Sequence, residues 1–171
     1  TGFEYTAAAG LIYEGDVAGG LEVIRNIRAR YDGKKRSPFD EAECGHHYAR
    51  AMASWAAVPA LSGFAWDGVA KAMSFNPVVA DDPLVPDGAC AGVRVVADNP
   101  VVADAAKEGS YFWSNGDAWG TCRIGAGAKT AELAVLHGSL SLRSFRLGAA
   151  PARGLKRPEA LEAGETIKLE F

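Results

Sequence analysis

The densest run of chemically capable side chains is Asp40-Glu41-Ala42-Glu43-Cys44-Gly45-His46-His47-Tyr48-Ala49-Arg50. Three chemistries compete for it. A metal centre would draw on Cys44, His46 and His47, but adjacent histidines seldom reach one ion, and no second ligand pair follows at usable spacing. No metal and no other cofactor is expected. A cysteine–histidine nucleophile would pair Cys44 with His46 or His47. Neighbours so close in sequence fix no geometry, and no oxyanion element accompanies them. The third chemistry is carbohydrate binding. Sugar hydroxyls need paired donors and acceptors: a carboxylate accepts two hydroxyl hydrogens, and a guanidinium offers a rigid fork of donors. Glu41 and Arg50 can converge on one hydroxyl edge. An internal Glu41–Arg50 ion pair that only pins the loop would use the same two residues. Residue types alone leave both readings open.

The flanking elements must position this run. Residues 3–14 are alanine-rich and place Phe3, Ala7, Leu11 and Glu14 at three- and four-residue steps, which predicts a helix. Gly15 and Asp16 supply a turn and an N-cap for a second helix over 17–31, with Val17, Leu21, Ile24, Arg28 and Tyr31 along one face and Ile27 beside it. Asp32-Gly33 ends it, because glycine tolerates the left-handed conformation common at helix C-termini. A connection this short makes the two helices antiparallel. Gly10, Gly19 and Gly20 weaken helices, and close helix-to-helix approach would compensate. Residues 32–46 form a polar loop whose basic run, Lys34-Lys35-Arg36, reads as solvated. A third helix is expected over 47–62, with Tyr48, Met52, Trp55 and Ala56 on one side and Pro59 kinking or finishing it.

After Gly63 the periodicity changes. Tyr111, Phe112, Trp113, Trp119 and Ile124 surround Asn115-Gly116, a hairpin signal. Leu133, Val135, Leu140 and Leu142 alternate around His137-Gly138, which reads as a second hairpin, and residues 166–171 alternate as a final strand. Trp113 and Trp119 could form a sugar-stacking platform, but strand-core packing suits their apolar neighbours better. Between lies a long segment in which Asn76-Pro77-Val78-Val79-Ala80-Asp81 recurs as Asn99-Pro100-Val101-Val102-Ala103-Asp104. Two copies are too few for a solenoid and read as a local duplication.

Composition bounds the remaining classes. A net charge of −3 gives no electrostatic footprint for nucleic acid or an anionic membrane. No apolar run approaches the length of a membrane-spanning helix. The three cysteines, Cys44, Cys90 and Cys122, lack paired spacing and fit reduced thiols, leaving cytoplasmic and exported locations open. Thr1 leads directly into helix with no targeting segment, so a piece of a longer chain is expected.

Several of these stretches together resemble glycoside hydrolase family 116, the family of non-lysosomal glucosylceramidase and bacterial β-glucosidases. The resemblance runs through Gly2-Phe3-Glu4-Tyr5, Tyr13-Glu14-Gly15, Arg30-Tyr31-Asp32-Gly33, Ser37-Pro38-Phe39 and the whole of Glu41 to Arg50. It continues through Met52-Ala53-Ser54-Trp55-Ala56, Leu61-Ser62-Gly63-Phe64 and Ser74-Phe75-Asn76-Pro77, and is weaker at Asp117-Ala118-Trp119-Gly120-Thr121. It implies an (α/α)₆ barrel that cleaves β-glycosidic bonds with retention. It also implies that Glu41, with Arg50 nine residues later, binds the sugar. His46, His47 and Tyr48 are weaker substrate-binding candidates and are similar to the bacterial branch.

A retaining hydrolase needs two carboxyl groups about 5 Å apart across the scissile bond. The family motifs that carry them are absent here, so no catalytic residue is expected in this chain. The expected fold is α+β: the last helices of an (α/α)₆ barrel over 1–75, an insertion or linker over 76–110, and antiparallel strands over 111–171. The expected function is part of a retaining β-glycosidase, with a β-linked saccharide or glycolipid and the remainder of the parent barrel as partners. The alternatives are a non-catalytic carbohydrate- or partner-binding module, or a segment that only completes the barrel.

Overall fold

The computed structural model describes residues 1–40, 46, 50–78 and 108–171, with the side chains of 50, 51 and 156–159 outside that description. It divides into two compact units, Thr1–Leu61 and Ser62–Phe171.

The first unit is built on two helices, α1 (Gly2–Tyr13) and α2 (Val17–Arg30). Gly15, at φ +94°, makes the turn between them, and Asp16 caps α2 by accepting a hydrogen bond from the Gly19 amide at 2.9 Å. The helices approach closely at Gly20. A Cβ there would stand 2.6 Å from the Ala8 carbonyl oxygen and 2.6 Å from Ile12 Cγ1. Small residues on both partners therefore decide which face of α1 is buried. The buried stripe is Tyr5, Ala8, Ala9 and Ile12, not the Phe3–Ala7–Leu11 line that residue spacing suggested; Phe3 is 75% exposed. On α2, Gly20 and Ile27 are buried, while Val17, Leu21 and Ile24 are half-buried. The chain re-enters the described structure as a 3₁₀ helix, Arg50–Ala56, and continues as α3 (Ala57–Ser62). Pro59 falls in the first turn of α3, a position where proline is tolerated.

The second unit is a β-sandwich. One sheet has the order β1 (Ala65–Asp67), β2 (Ala72–Phe75), β6 (Ser139–Leu147), β7 (Arg153–Glu162). The other has β3 (Gly109–Ser114), β4 (Trp119–Ile124), β5 (Thr130–His137), β8 (Thr166–Glu170). All neighbours are antiparallel except β2 and β6, which run parallel. One face of each sheet points inward, and Met73, Phe75, Leu142 and Phe145 from the first share a single core with Trp113, Cys122, Leu133 and Val135 from the second. Phe75 stacks on Phe145 with centroids 5.9 Å apart. The Asn115-Gly116 hairpin forms as expected, with Asn115 Oδ1 accepting from the amides of Asp117 and Ala118 and Gly116 at φ +93°.

The structure corrects the expected fold. Among the described residues there are three α-helices, the longest of 14 residues, and no helical barrel. The physical reason is the pattern after Ser62: burial alternates with period two, which forms sheet and not further helix. The second expected hairpin is also corrected. His137-Gly138 joins β5 to β6, which lie in different sheets, so it is a corner. Gly138, at φ +76° and close against the Asp117 carbonyl, lets the chain cross over. The first copy of the duplicated segment starts in the irregular stretch after β2; the second lies outside the described residues.

Candidate functional site

The loop that carries the candidate sugar ligands leaves the helical unit from a small apolar cluster. Tyr5 from α1 meets Ile27 and Tyr31 at the end of α2, and all three are buried. Val23, Ile24 and Ala53 pack against them. Ala53 belongs to the 3₁₀ helix that begins at Arg50, so the segment between 31 and 53 starts and finishes on the same cluster. Beside it, Arg30 Nη2 donates to Glu4 Oε2 at 2.5 Å, tying the first turn of α1 to the last turn of α2. That guanidinium holds the Glu4 carboxyl below the usual carboxylate range.

The exit of the loop is shaped by its own backbone. Asp32 Oδ1 accepts from the amides of Lys34 at 2.9 Å and Lys35 at 2.8 Å, and Gly33 turns the chain at φ +83°. The Lys35 and Lys34 amides hold the Asp32 carboxyl below its ordinary value. Lys35 Nζ reaches back to the Ala29 carbonyl at 3.0 Å, a favourable place for a cation at a helix C-terminus. The Arg36 guanidinium lies 5.8 Å from the Tyr31 ring centroid. Ser37 Oγ then accepts from the Phe39 amide at 3.3 Å, and Phe39 is almost wholly exposed.

Asp40 Oδ1 and His46 Nδ1 are 2.7 Å apart. An ionised carboxylate only accepts, so this contact puts the imidazole proton on Nδ1 and makes Nε2 of the neutral ring an acceptor. His46 adopts φ +70°, a left-handed backbone unusual for a residue with a side chain.

The sequence-expected site residues fall as follows. Arg50 is the first residue of the 3₁₀ helix, with its side chain outside the described residues. Glu41, His47 and Tyr48 lie outside them altogether. His46 is placed, exposed and held by Asp40. Among the described residues no group of three or more histidine, cysteine and acidic side chains is arranged to hold a metal ion. No described helix is long and apolar enough to cross a membrane.

Two contacts escaped the sequence. Glu4–Arg30 joins residues too far apart in the chain for spacing to reveal. The other is on the sandwich, where Trp113 is fully buried but Trp119 is 42% exposed on the outer face. Register explains it: Trp113 pairs with Gly120, so the preceding residue, Trp119, points the opposite way.

Comparison with known proteins assigns no family: no family model matches the chain, and no curated protein does.

Proposed function

We propose that the chain is part of a retaining β-glycosidase of the family-116 kind, acting on β-glucosides or glycolipids. In this reading Glu41 and Arg50 hold substrate hydroxyls, and the catalytic carboxylates lie in another part of the longer protein. The observation that carries it is the closure of the loop. Residues from separate stretches of the resemblance (Glu4, Tyr5, Arg30, Tyr31 and Ala53) meet at one place and form the base from which segment 32–50 departs and to which it returns. Binding residues on a loop are useful only when a rigid base fixes both its ends.

The remaining chemistry follows from side-chain type. A carboxylate and a guanidinium on one sugar edge satisfy donors and acceptors together, and contacts that strengthen as the ring distorts lower the barrier to glycosyl transfer. Arg30 holds Glu4 low and the Lys35 and Lys34 amides hold Asp32 low, the opposite of what a general acid needs. The test is hydrolysis of 4-nitrophenyl β-D-glucoside by the longer protein and by this chain alone. Turnover by the longer protein and none by the chain supports the reading. Turnover by the chain alone, or by neither, overturns it.

A further inference from the structure

The outer face of the β3–β4–β5–β8 sheet carries an aromatic end and a polar end. At the aromatic end Phe112 and Trp119 are 48% and 42% exposed, with ring centroids 6.4 Å apart. Trp119 sits opposite His137 across the β4–β5 pair, with ring planes within 22° and centroids 6.0 Å apart. A register shift between Trp119 and Gly120 places this pair at a bulge, a device that re-aims side chains at the rim of a sheet. Two residues further along β4 is Thr121, and two beyond it is Arg123, which pairs with Glu132 of β5. Glu132 in turn meets Lys168 Nζ at 3.3 Å. Outward side chains two apart on a strand are separated by about 7 Å, so the face runs from aromatic to charged over roughly 14 Å.

We propose that Phe112, Trp119 and His137 form a stacking platform for a pyranose ring of a neutral saccharide, with Thr121, Arg123 and Glu132 taking hydroxyls of the adjoining sugar along the same face. A pyranose ring has an apolar face of C–H bonds that lies flat on aromatic rings, and a rim of hydroxyls that needs donors and acceptors. The sheet presents both, in that order. Area argues against a protein occupant: two aromatic side chains exposed by somewhat under half present on the order of 200 Å², against about 800 Å² per partner in a stable protein interface. That area suits a small ligand. The mixed signs of Arg123, Glu132 and Lys168 suit a neutral polyol better than a strongly charged polymer. This site is independent of the Glu41–Arg50 loop, and either can fail without the other.

Calorimetric titration of the 171-residue chain with cellotetraose, xylotetraose and mannotetraose decides it. Saturable binding to at least one is expected. Trp119→Ala should weaken it by about tenfold, as truncating an aromatic anchor at the centre of a small interface does. Trp119→Phe should retain most of the affinity, and Val69→Ala, in the exposed turn between β1 and β2 of the other sheet, should leave it unchanged. Thermal melts check that each variant folds; if Trp119→Ala does not, loss of binding in Phe112→Ala carries the same weight. No saturable binding to any of the three sugars, or full affinity in the folded platform variants, overturns the proposal. So does sedimentation in which Trp119→Ala converts a dimer to a monomer, since that gives the face to a second copy of the chain.

Discussion

Glu4 Oε2 accepts a hydrogen bond from Arg30 Nη2 at 2.5 Å, so the start of α1 is joined to the end of α2 beside the point where the candidate sugar-binding loop departs. Both side chains are over 40% exposed, and such a pair contributes no more than about 1 kcal/mol. Its value is in register more than in stability.

The pair has a pH signature. Arg30 lowers the Glu4 carboxyl from its ordinary 4.5, so the stabilisation is fully present above that pH and is lost as pH falls through the lower folded value. Glu4→Gln should remove this acid dependence while shifting the melting temperature near neutrality by no more than about 8 °C, the upper value for 1 kcal/mol in a small unit. Amide exchange in α1 and α2, followed from about pH 6 to pH 3, checks it. An unchanged acid profile in Glu4→Gln would give the dependence to other carboxylates.

Two glycines in adjacent helices should respond with opposite signs. Gly20→Ala drives a Cβ to 2.6 Å from the Ala8 carbonyl oxygen, which cannot yield without moving α1. The cost should be about 1–3 kcal/mol despite the better helix propensity. At Gly10 nothing lies within 4 Å of a Cβ, and Gly10→Ala should stabilise by about 0.5–1 kcal/mol. Denaturant unfolding of both variants, with unchanged m-values, checks the pair.

The sandwich core should fail at alkaline pH. Burial pushes the Cys122 thiol from 9.0 up to about 12, and burial followed by the neighbouring Cys122 pushes the Tyr111 phenol from 10.0 up to about 12. Each group is neutral when protonated, and the fold favours that form. Their contribution is present below the unfolded values and is lost as pH rises from about 9 to about 12. In a Cys44→Ser, Cys90→Ser variant the remaining Cys122 thiol should resist a disulfide reagent at pH 8 until denaturant is added. Rapid labelling of the folded variant would contradict its burial.

Much of the helical unit was legible because its signals are local. Asp16 and Gly15 marked the turn, Asp32-Gly33 marked the end of α2, and Gly20 marked the close approach. The barrel was expected from the resemblance and not from periodicity; among the described residues it does not form, and the two-residue alternation after Ser62 folds as a sandwich. His137-Gly138 misled because a positive-φ glycine serves a hairpin and a sheet-to-sheet corner equally well. β7 went unread because Arg153–Glu162 mixes charges with Pro158, a composition tolerated at the edge of a sheet, where it lies. Trp119 was assigned to the core although its neighbour Gly120, paired with Trp113, already takes the inward position.

The most direct test of the proposed sugar-binding role is steady-state kinetics of the longer protein proposed above on 4-nitrophenyl β-D-glucoside, comparing wild type with Arg50→Ala and Glu41→Gln. A buried hydroxyl contact to a charged group contributes about 1.5–3 kcal/mol, so kcat/KM should fall by roughly tenfold to a hundredfold or more in each variant, with the melting temperature retained. Unchanged kcat/KM in both folded variants would contradict the role and leave Glu41 and Arg50 as an ion pair that only pins the loop.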